Sequence, residues 1–374
     1  MVMKSLQDLI KRARQIDKIP PSSVNAYLNK KEQLLDQVNR AIAAHPEFGS
    51  FLGENSFELL ENNHRNHVSF MAEIFAQNDF ESLARALPWV YRAYHNQGVD
   101  YAYFPAELNA WSAAIRQLIN PDYAKPLIQV YEWVLAQHEL TIAIAESETQ
   151  LNVSVEARFK PNQQEFMGAL KARDMKQCLS ISQQALKLGA SLQDIFNHVI
   201  YPSMVEVGLQ WESGEISVAE EHQATSIVNS VISALYLAAD FPMKQTATAV
   251  VSAAPSERHE MGAWMTAACL ELDGWKVTYL GSDIPAEEVA MTTIKVRADL
   301  LALSIAMPFN IPSAREVIEA VRADPLGRNI KVMVGGQVFL QFPGLVSSLD
   351  ADACLSNCLE AVDWANKLIG RSDS

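Results

Sequence analysis

No stretch of this 374-residue chain approaches the roughly 18 consecutive apolar residues that a membrane-spanning helix needs. Its opening segment, MVMKSLQDLIKRARQ, reads as amphipathic helix and lacks the apolar centre and cleavage site of a secretory signal, so a cytoplasmic location is expected. Cationic charge is scarce. Lys and Arg total 30 against 44 Asp and Glu, a formal net charge of −14, and no basic recognition helix is present, which argues against direct nucleic-acid contacts. Cysteines number four (Cys178, Cys269, Cys354, Cys358). Cys354 and Cys358 are too few for a tetrahedral zinc site without nearby His, and reduced structural thiols are expected. There is neither a P-loop nor a Gly-x-Gly-x-x-Gly fingerprint, which disfavours a plain nucleotide site. What remains, 49% hydrophobic and 20% charged residues, describes a globular protein of two or three domains.

Three blocks follow one another. Residues 1–155 are helical by periodicity, with breaks expected at Pro20-Pro21, His45-Pro46, Gly98, Pro105 and Asn120-Pro121. Residues 158–241 read as four short helices, a bundle-like cap. Asp174 with Gln177, Ser191 with Asp194 and Ser217 with Glu220 mark helix starts, and Gly189 and Gly214 mark ends. From residue 245 to 374 the pattern alternates strand and helix, with strands at 247–254, 276–280, 300–306 and 331–334 and a fifth at 351–355. The expected class is therefore α/β plus all-α: an N-terminal helical domain, a four-helix cap and a C-terminal Rossmann-like, doubly wound parallel sheet.

On such a sheet, ligands bind at the carboxyl ends of the strands, and the unusual residues fall there. Glu257-x-His259-x-x-Gly262 follows the first strand, Ser304 ends the third, and Gly335-Gly336 follows the fourth. A loop His with a carboxylate two residues earlier is suited to metal ligation. One ring nitrogen ligates while the carboxylate accepts from the other and fixes the tautomer. Gly262 lets backbone approach whatever group the His holds. In the cap, Trp211 precedes a Ser-Gly turn, and Glu221-His222 lies near the positive end of the next helix, with nine residues between Trp211 and the pair.

Together these residues resemble the cobalamin-binding fold of methionine synthase and its relatives, whose pattern is Asp-x-His-x-x-Gly, then Ser-x-Leu or Ser-x-Thr, then Gly-Gly. The resemblance implies that His259 ligates cobalt from below, as the lower axial ligand. It displaces the dimethylbenzimidazole tail, which threads into a slot beside Ser304, Gly335 and Gly336. Glu257 stands in place of the Asp, and Ala306 stands at the third position of the Ser motif. The cap is similar to that of light-sensing cobalamin-binding proteins typified by adenosylcobalamin-dependent transcriptional repressors. That likeness implies that Trp211 covers the upper face and Glu221-His222 surrounds the adenosyl group. Two departures bear on mechanism: Glu212 replaces the His that directly follows the Trp in those repressors, leaving His198 or His222 as substitutes, and no winged helix precedes the cap. The expectation is a non-enzymatic photoreceptor that binds adenosylcobalamin and changes conformation or homo-oligomeric state when light removes the adenosyl group. The alternative is a corrinoid carrier passing a methyl group between methyltransferases.

Residues 89–133 hold six of the ten tyrosines (Tyr91, Tyr94, Tyr101, Tyr103, Tyr123, Tyr131) with Trp89, Trp111 and Trp133. Core packing or a subunit interface produces such density, and so does an aromatic pocket for a second flat ligand. His64, His67, His95 and His138, with Arg92 and Arg116, are the polar partners of that last reading. The arrangement of a helical N-terminal block plus this cobalamin module looks similar to photocobilins, which implies biliverdin as second chromophore. With no cysteine in residues 1–155, such a bilin is held non-covalently.

Overall fold

The computed structural model describes residues 2–53, 55–147, 155–242 and 247–370. Two compact units emerge, Met1–Gln150 with Phe342–Leu345, and Leu151–Gln341 with Val346–Ser374. The domain start expected at residue 245 and the chain end at 371–374 lie outside the described residues. No helix among the described residues is long and apolar enough to cross a membrane.

The first unit contains α1 (Val2–Ala13), α2 (Pro21–Ala43), α3 (Phe48–Leu52), α4 (Phe57–Gln77), α5 (Phe80–Asn96), α6 (Tyr103–Leu118), α7 (Pro121–Ala136) and α8 (His138–Ala145). Pro21 and Pro121 open their helices, where the missing N–H costs nothing. Asn120 caps α7 by accepting from the Asp122 amide at 3.0 Å. Pro105, expected as a break, sits instead in the first turn of α6, since the amides of that turn have no intrahelical acceptor to lose. Leu34, Val38, Leu60, Val68, Phe75, Trp111, Ile115 and Tyr131 are among the side chains that fill the core.

The second unit begins with the four-helix cap. It comprises α9 (Lys160–Lys171), α10 (Met175–Lys187), α11 (Leu192–Ile195), which continues through a π-helical stretch at Phe196–Ile200 into α12 (Tyr201–Glu212), and α13 (Val218–Leu237). The Ser191/Asp194 and Ser217/Glu220 pairs form complete capping boxes; Asp174 accepts only the Gln177 amide. Gly189 and Gly214 both take positive φ where their helices end.

The alternating part is β1 (Thr248–Ala253), α14 (Met261–Leu272), β2 (Lys276–Gly281), α15 (Ala286–Lys295), β3 (Leu300–Ser304), α16 (Ile311–Ala323), β4 (Lys331–Gly335), α17 (Gln337–Gln341), β5 (Ala353–Leu355) and α18 (Cys358–Leu368). All strand pairs are parallel, in the order β2-β1-β3-β4-β5. Near-continuous apolar runs in β1 and β3 are buried along their length because helices cover both sheet faces. The chain leaves β1 toward β2 on one side and then returns to β3 on the other, so the strand order reverses between β1 and β3. Crevices form at such a reversal. The register aligns Ala253, Ser304, Gly335 and Leu355 in one row across the carboxyl edge.

Candidate functional site

At that reversal the β1–α14 loop carries Glu257 and His259. Glu257 is fully buried, and its two oxygens meet five donors. Oε1 accepts the His259 amide at 3.1 Å and lies 2.5 Å from His259 Nδ1. Oε2 accepts the amides of Ala306 and Met307, each at 3.0 Å, and Asn310 Nδ2 at 2.9 Å. Burial alone pushes this carboxyl up, but the His259 hydrogen bond and charge and the Asn310 amide outweigh it and hold the pKa at about 2. The carboxylate therefore stays ionised and keeps the ring proton of His259 on Nδ1. The His259 ring is 62% exposed, so Nε2 is the nitrogen available to a ligand. The bond to Glu257 raises the His259 pKa against the opposing effect of burial, and the charge of Glu221, on the cap, adds to the rise.

A cavity of about 680 Å³, counting its open mouth, runs from this edge between the strand ends and helices α14 and α18. Its walls include Gly262, Ser304, Gly335 and Gly336, four of the residues singled out in the sequence as ligand-binding, with Asn197 and Tyr201, which were not, and Cys358, which was expected only as a structural thiol. The glycines serve the fold as well as the cavity. A Cβ on Gly336, whose φ is +118°, would lie 2.1 Å from the Ile305 carbonyl oxygen, and one on Gly335 would lie 2.8 Å from that of Leu355. A Cβ on Gly262 meets only Ser304 Oγ, at 3.1 Å.

On the cap, Trp211 is half-buried at the end of α12. Glu221 Oε2 holds His222 Nδ1 at 2.6 Å, and its Oε1 accepts from Thr225 Oγ1 at 2.8 Å. His222 is 77% exposed, so its Nε2 is available as His259's is. His198 is engaged elsewhere: it stacks on Phe159 with centroids 5.1 Å apart, and its Nε2 lies 3.7 Å from Glu156. No group of three or more His, Cys, Asp or Glu that could hold a metal ion by itself occurs among the described residues. A single exposed His whose other nitrogen is fixed suits a metal carried inside a larger ligand. The built cavity beside it suits that ligand's tail, so the residues fit a corrinoid.

In the first unit, the aromatic set forms a packed polar network. His64 bonds Asn39 through Nδ1 (2.5 Å) and Tyr103 through Nε2 (2.8 Å). His67 stacks on Trp111 (5.0 Å, 15°), reaches Tyr131 through Nε2 (3.2 Å) and lies 3.5 Å from Glu107 through Nδ1. Trp111 donates to Glu107 at 3.1 Å. Tyr91 reaches His138, His95 stacks on Tyr101, and Arg116 pairs with Glu132. Burial raises the Glu107 pKa to about 7, and lowers those of His64 and His67 to about 4 and about 3.

Comparison with known proteins gives this geometry a chemical context. Residues 247–356 match a family model described as a B12 binding domain, and residues 163–236 match a second B12 binding domain model. The HTH-type transcriptional repressor CarH of Myxococcus xanthus is 30% identical over 171 residues, 46% of this chain and 56% of the repressor. The chain thus spans little more than half of that relative's length. Dimethylamine corrinoid protein 1 of Methanosarcina acetivorans is 26% identical over 178 residues, 47% of this chain and 83% of that protein. The structure of the Methanosarcina barkeri monomethylamine corrinoid protein shares the fold, with a TM-score of 0.51 and 20% identity over 56% of this chain and 99% of that one. The chain carries cobalamin-binding domains, and its cofactor is a cobalamin.

Proposed function

We propose that this chain is a photoreceptor that binds adenosylcobalamin between the four-helix cap and the parallel sheet and answers light by moving the cap. When bound, the cofactor supplies a cobalt–carbon bond that visible light breaks. His259 Nε2 would hold the cobalt, Glu257 keeps the ring oriented, and Ser304, Gly335 and Gly336 would border the slot for the cofactor's tail. Trp211 and the Glu221-His222 pair would enclose the adenosyl group, and the cap would take one of two positions or oligomeric states according to whether that group is present. The observation that carries this reading is the exposed His259 ring, held through Nδ1 by buried Glu257 with Nε2 left available, together with the cavity bordered by Ser304, Gly335 and Gly336. With Glu212 at the position after Trp211, exposed His222, rather than His198, which stacks on Phe159, would be the residue to take up the role of the missing His. We extend the reading to biliverdin as a non-covalent second chromophore in the first unit. There a bilin has to open the His64–Tyr103 and His67–Tyr131 contacts, so it is the more demanding half of the proposal.

The test is an absorption spectrum of the protein mixed with adenosylcobalamin and biliverdin, desalted in the dark and then illuminated. Retained cobalamin with a lasting light-induced change supports the photoreceptor, and a red-region band supports the bilin. The similarity to dimethylamine corrinoid proteins favours a second reading, a methyl carrier. Cobalamin retained with no lasting photoproduct and with methylcobalamin preferred selects that reading, and no retained colour rejects both. His259→Ala is expected to leave folding intact and lose cobalamin through gel filtration. Trp211→Ala is expected to lose adenosyl over methyl selectivity if the protein is a photoreceptor and to leave it unchanged if it is a carrier.

A further inference from the structure

Cys269 and Cys358 are 89 residues apart in sequence, yet their sulfurs lie 3.0 Å from one another, about 1 Å longer than a disulfide bond. Cys269 belongs to α14 and is completely buried; Cys358 is the first residue of α18 and lines the cavity beside the cobalamin site. The two sulfurs differ in setting. Asn197 Nδ2 donates to Cys358 Sγ at 3.3 Å, and Cys358 lines the open-mouthed cavity whereas Cys269 does not. Burial and the neighbouring sulfur push the Cys269 thiol well up, so it keeps its proton. One cysteine is thus set to attack and the other to resolve. The Trp275–Asn366 hydrogen bond (3.3 Å) ties the turn after α14 to the far end of α18.

We propose that Cys269 and Cys358 form a peroxide-responsive dithiol in the wall of the cofactor cavity, and that their disulfide weakens cobalamin binding. The regulatory half rests on the cobalamin reading above; the dithiol chemistry does not. The Cys358 thiolate attacks the O–O bond of a hydroperoxide. A sulfur–oxygen bond forms, and the leaving alkoxide or hydroxide takes up a proton. Cys269 sulfur then attacks the sulfenic sulfur, the S–S bond forms, the S–O bond breaks, and hydroxide leaves as water with the Cys269 proton. Two thiols lose two electrons, and the hydroperoxide is reduced to an alcohol or water plus a second water. Closing the bond draws the first turn of α18, and with it the Ser356–Asn357–Cys358 wall, toward α14. A tail filling the cavity opposes that movement and shields Cys358. By linkage, a ligand that disfavours the disulfide is itself bound less tightly once the disulfide exists.

The experiment treats the full chain, free of cofactor, with hydrogen peroxide and maps its thiols by peptide mass spectrometry. It then measures cobalamin affinity in the reduced, oxidised and re-reduced protein. A linked Cys269–Cys358 peptide is expected, slower to form when cobalamin is bound, with Kd raised roughly five-fold or more and restored by dithiothreitol. Cys269→Ser is expected to stop at a Cys358 sulfenic acid that dimedone traps. Two intact thiols after peroxide has oxidised exposed Cys354 overturn the dithiol, and that measurement needs no variant. A disulfide with unchanged Kd overturns the regulatory half. Failure to bind cobalamin in the reduced state rejects the cobalamin reading and leaves the linked peptide to decide the chemistry.

Discussion

Replacing Glu257 by Gln changes one atom and exposes how the site depends on that carboxylate. Glu257 accepts from the His259 amide, His259 Nδ1, the Ala306 and Met307 amides and Asn310 Nδ2. An amide has one acceptor oxygen, so one group of donors must face its NH2. Turning the NH2 toward Ala306, Met307 and Asn310 sets three donors against it. Turning it toward His259 is cheaper, because there only the backbone amide is left orphaned. The ring must then accept at Nδ1 and move its proton to Nε2, which removes the lone pair that ligates. One lost charge-assisted bond plus one orphaned amide costs about 2–4 kcal/mol. Two measurements check the result. Urea denaturation of the cofactor-free protein reads the stability loss, and nitrogen NMR of the His259 ring reads the tautomer. Glu257→Gln is expected to lose cobalamin through gel filtration while remaining folded. A variant within about 0.5 kcal/mol of the parent, with the His259 proton still on Nδ1 and cobalamin retained, refutes the reasoning.

Two further outcomes follow from single residues. Gly336→Ala forces a Cβ to 2.1 Å from the Ile305 oxygen at a φ of +118°; strain and overlap together are expected to cost about 2–5 kcal/mol in denaturation of the cofactor-free protein. Gly262→Ala, whose Cβ meets only a movable Ser304 hydroxyl, serves as the tolerated control. In the first unit, the pKa of Glu107 is raised by burial from 4.5 to about 7, so the folded state holds a proton that the unfolded state has lost and stability falls as pH rises through that window. His64 and His67, lowered by burial, act in the opposite sense: their stability is complete above the ordinary His range and lost as pH falls below it. The readable quantity is therefore the difference between parent and Glu107→Gln. From pH 6 to 8.5 the parent is expected to lose about 1 kcal/mol relative to the variant, and a pH-independent difference refutes the assignment.

Local signals were readable in the sequence. The Ser191 and Ser217 capping boxes, the positive-φ ends at Gly189 and Gly214 and the apolar runs of β1, β3 and β4 are decided within a few residues, and each appears where its pattern placed it. What escaped is non-local. Nothing near Asn310 announces that its amide completes the cradle of a carboxylate 53 residues away. Cys269 read as far from any other cysteine, and Cys358 was grouped with Cys354, because the proximity of Cys269 and Cys358 exists only once α14 packs on α18. Aromatic density in the first unit was ambiguous for a related reason: composition records how many rings there are, while the hydrogen bonds from His64 to Tyr103 and from His67 to Tyr131 depend on how α4, α6 and α7 pack.

The two departures from the motif pattern are linked by one piece of geometry. Glu257 reaches from the loop after β1 to the loop after β3, binding His259 with one oxygen and the amides of Ala306 and Met307 with the other. The position held by Ala306 contributes a backbone N–H, which any residue but proline supplies, so the loss of a larger or hydroxylated side chain there leaves the contact intact. That contact also crosses the point where strand order reverses. The orientation of the His259 ring thus depends on the spacing of β1 and β3, which the register from Ala249–Leu300 to Ala253–Ser304 sets. A substitution that opens this strand pair is expected to mis-orient His259 without touching it, whereas a conservative change at Ala306 is not.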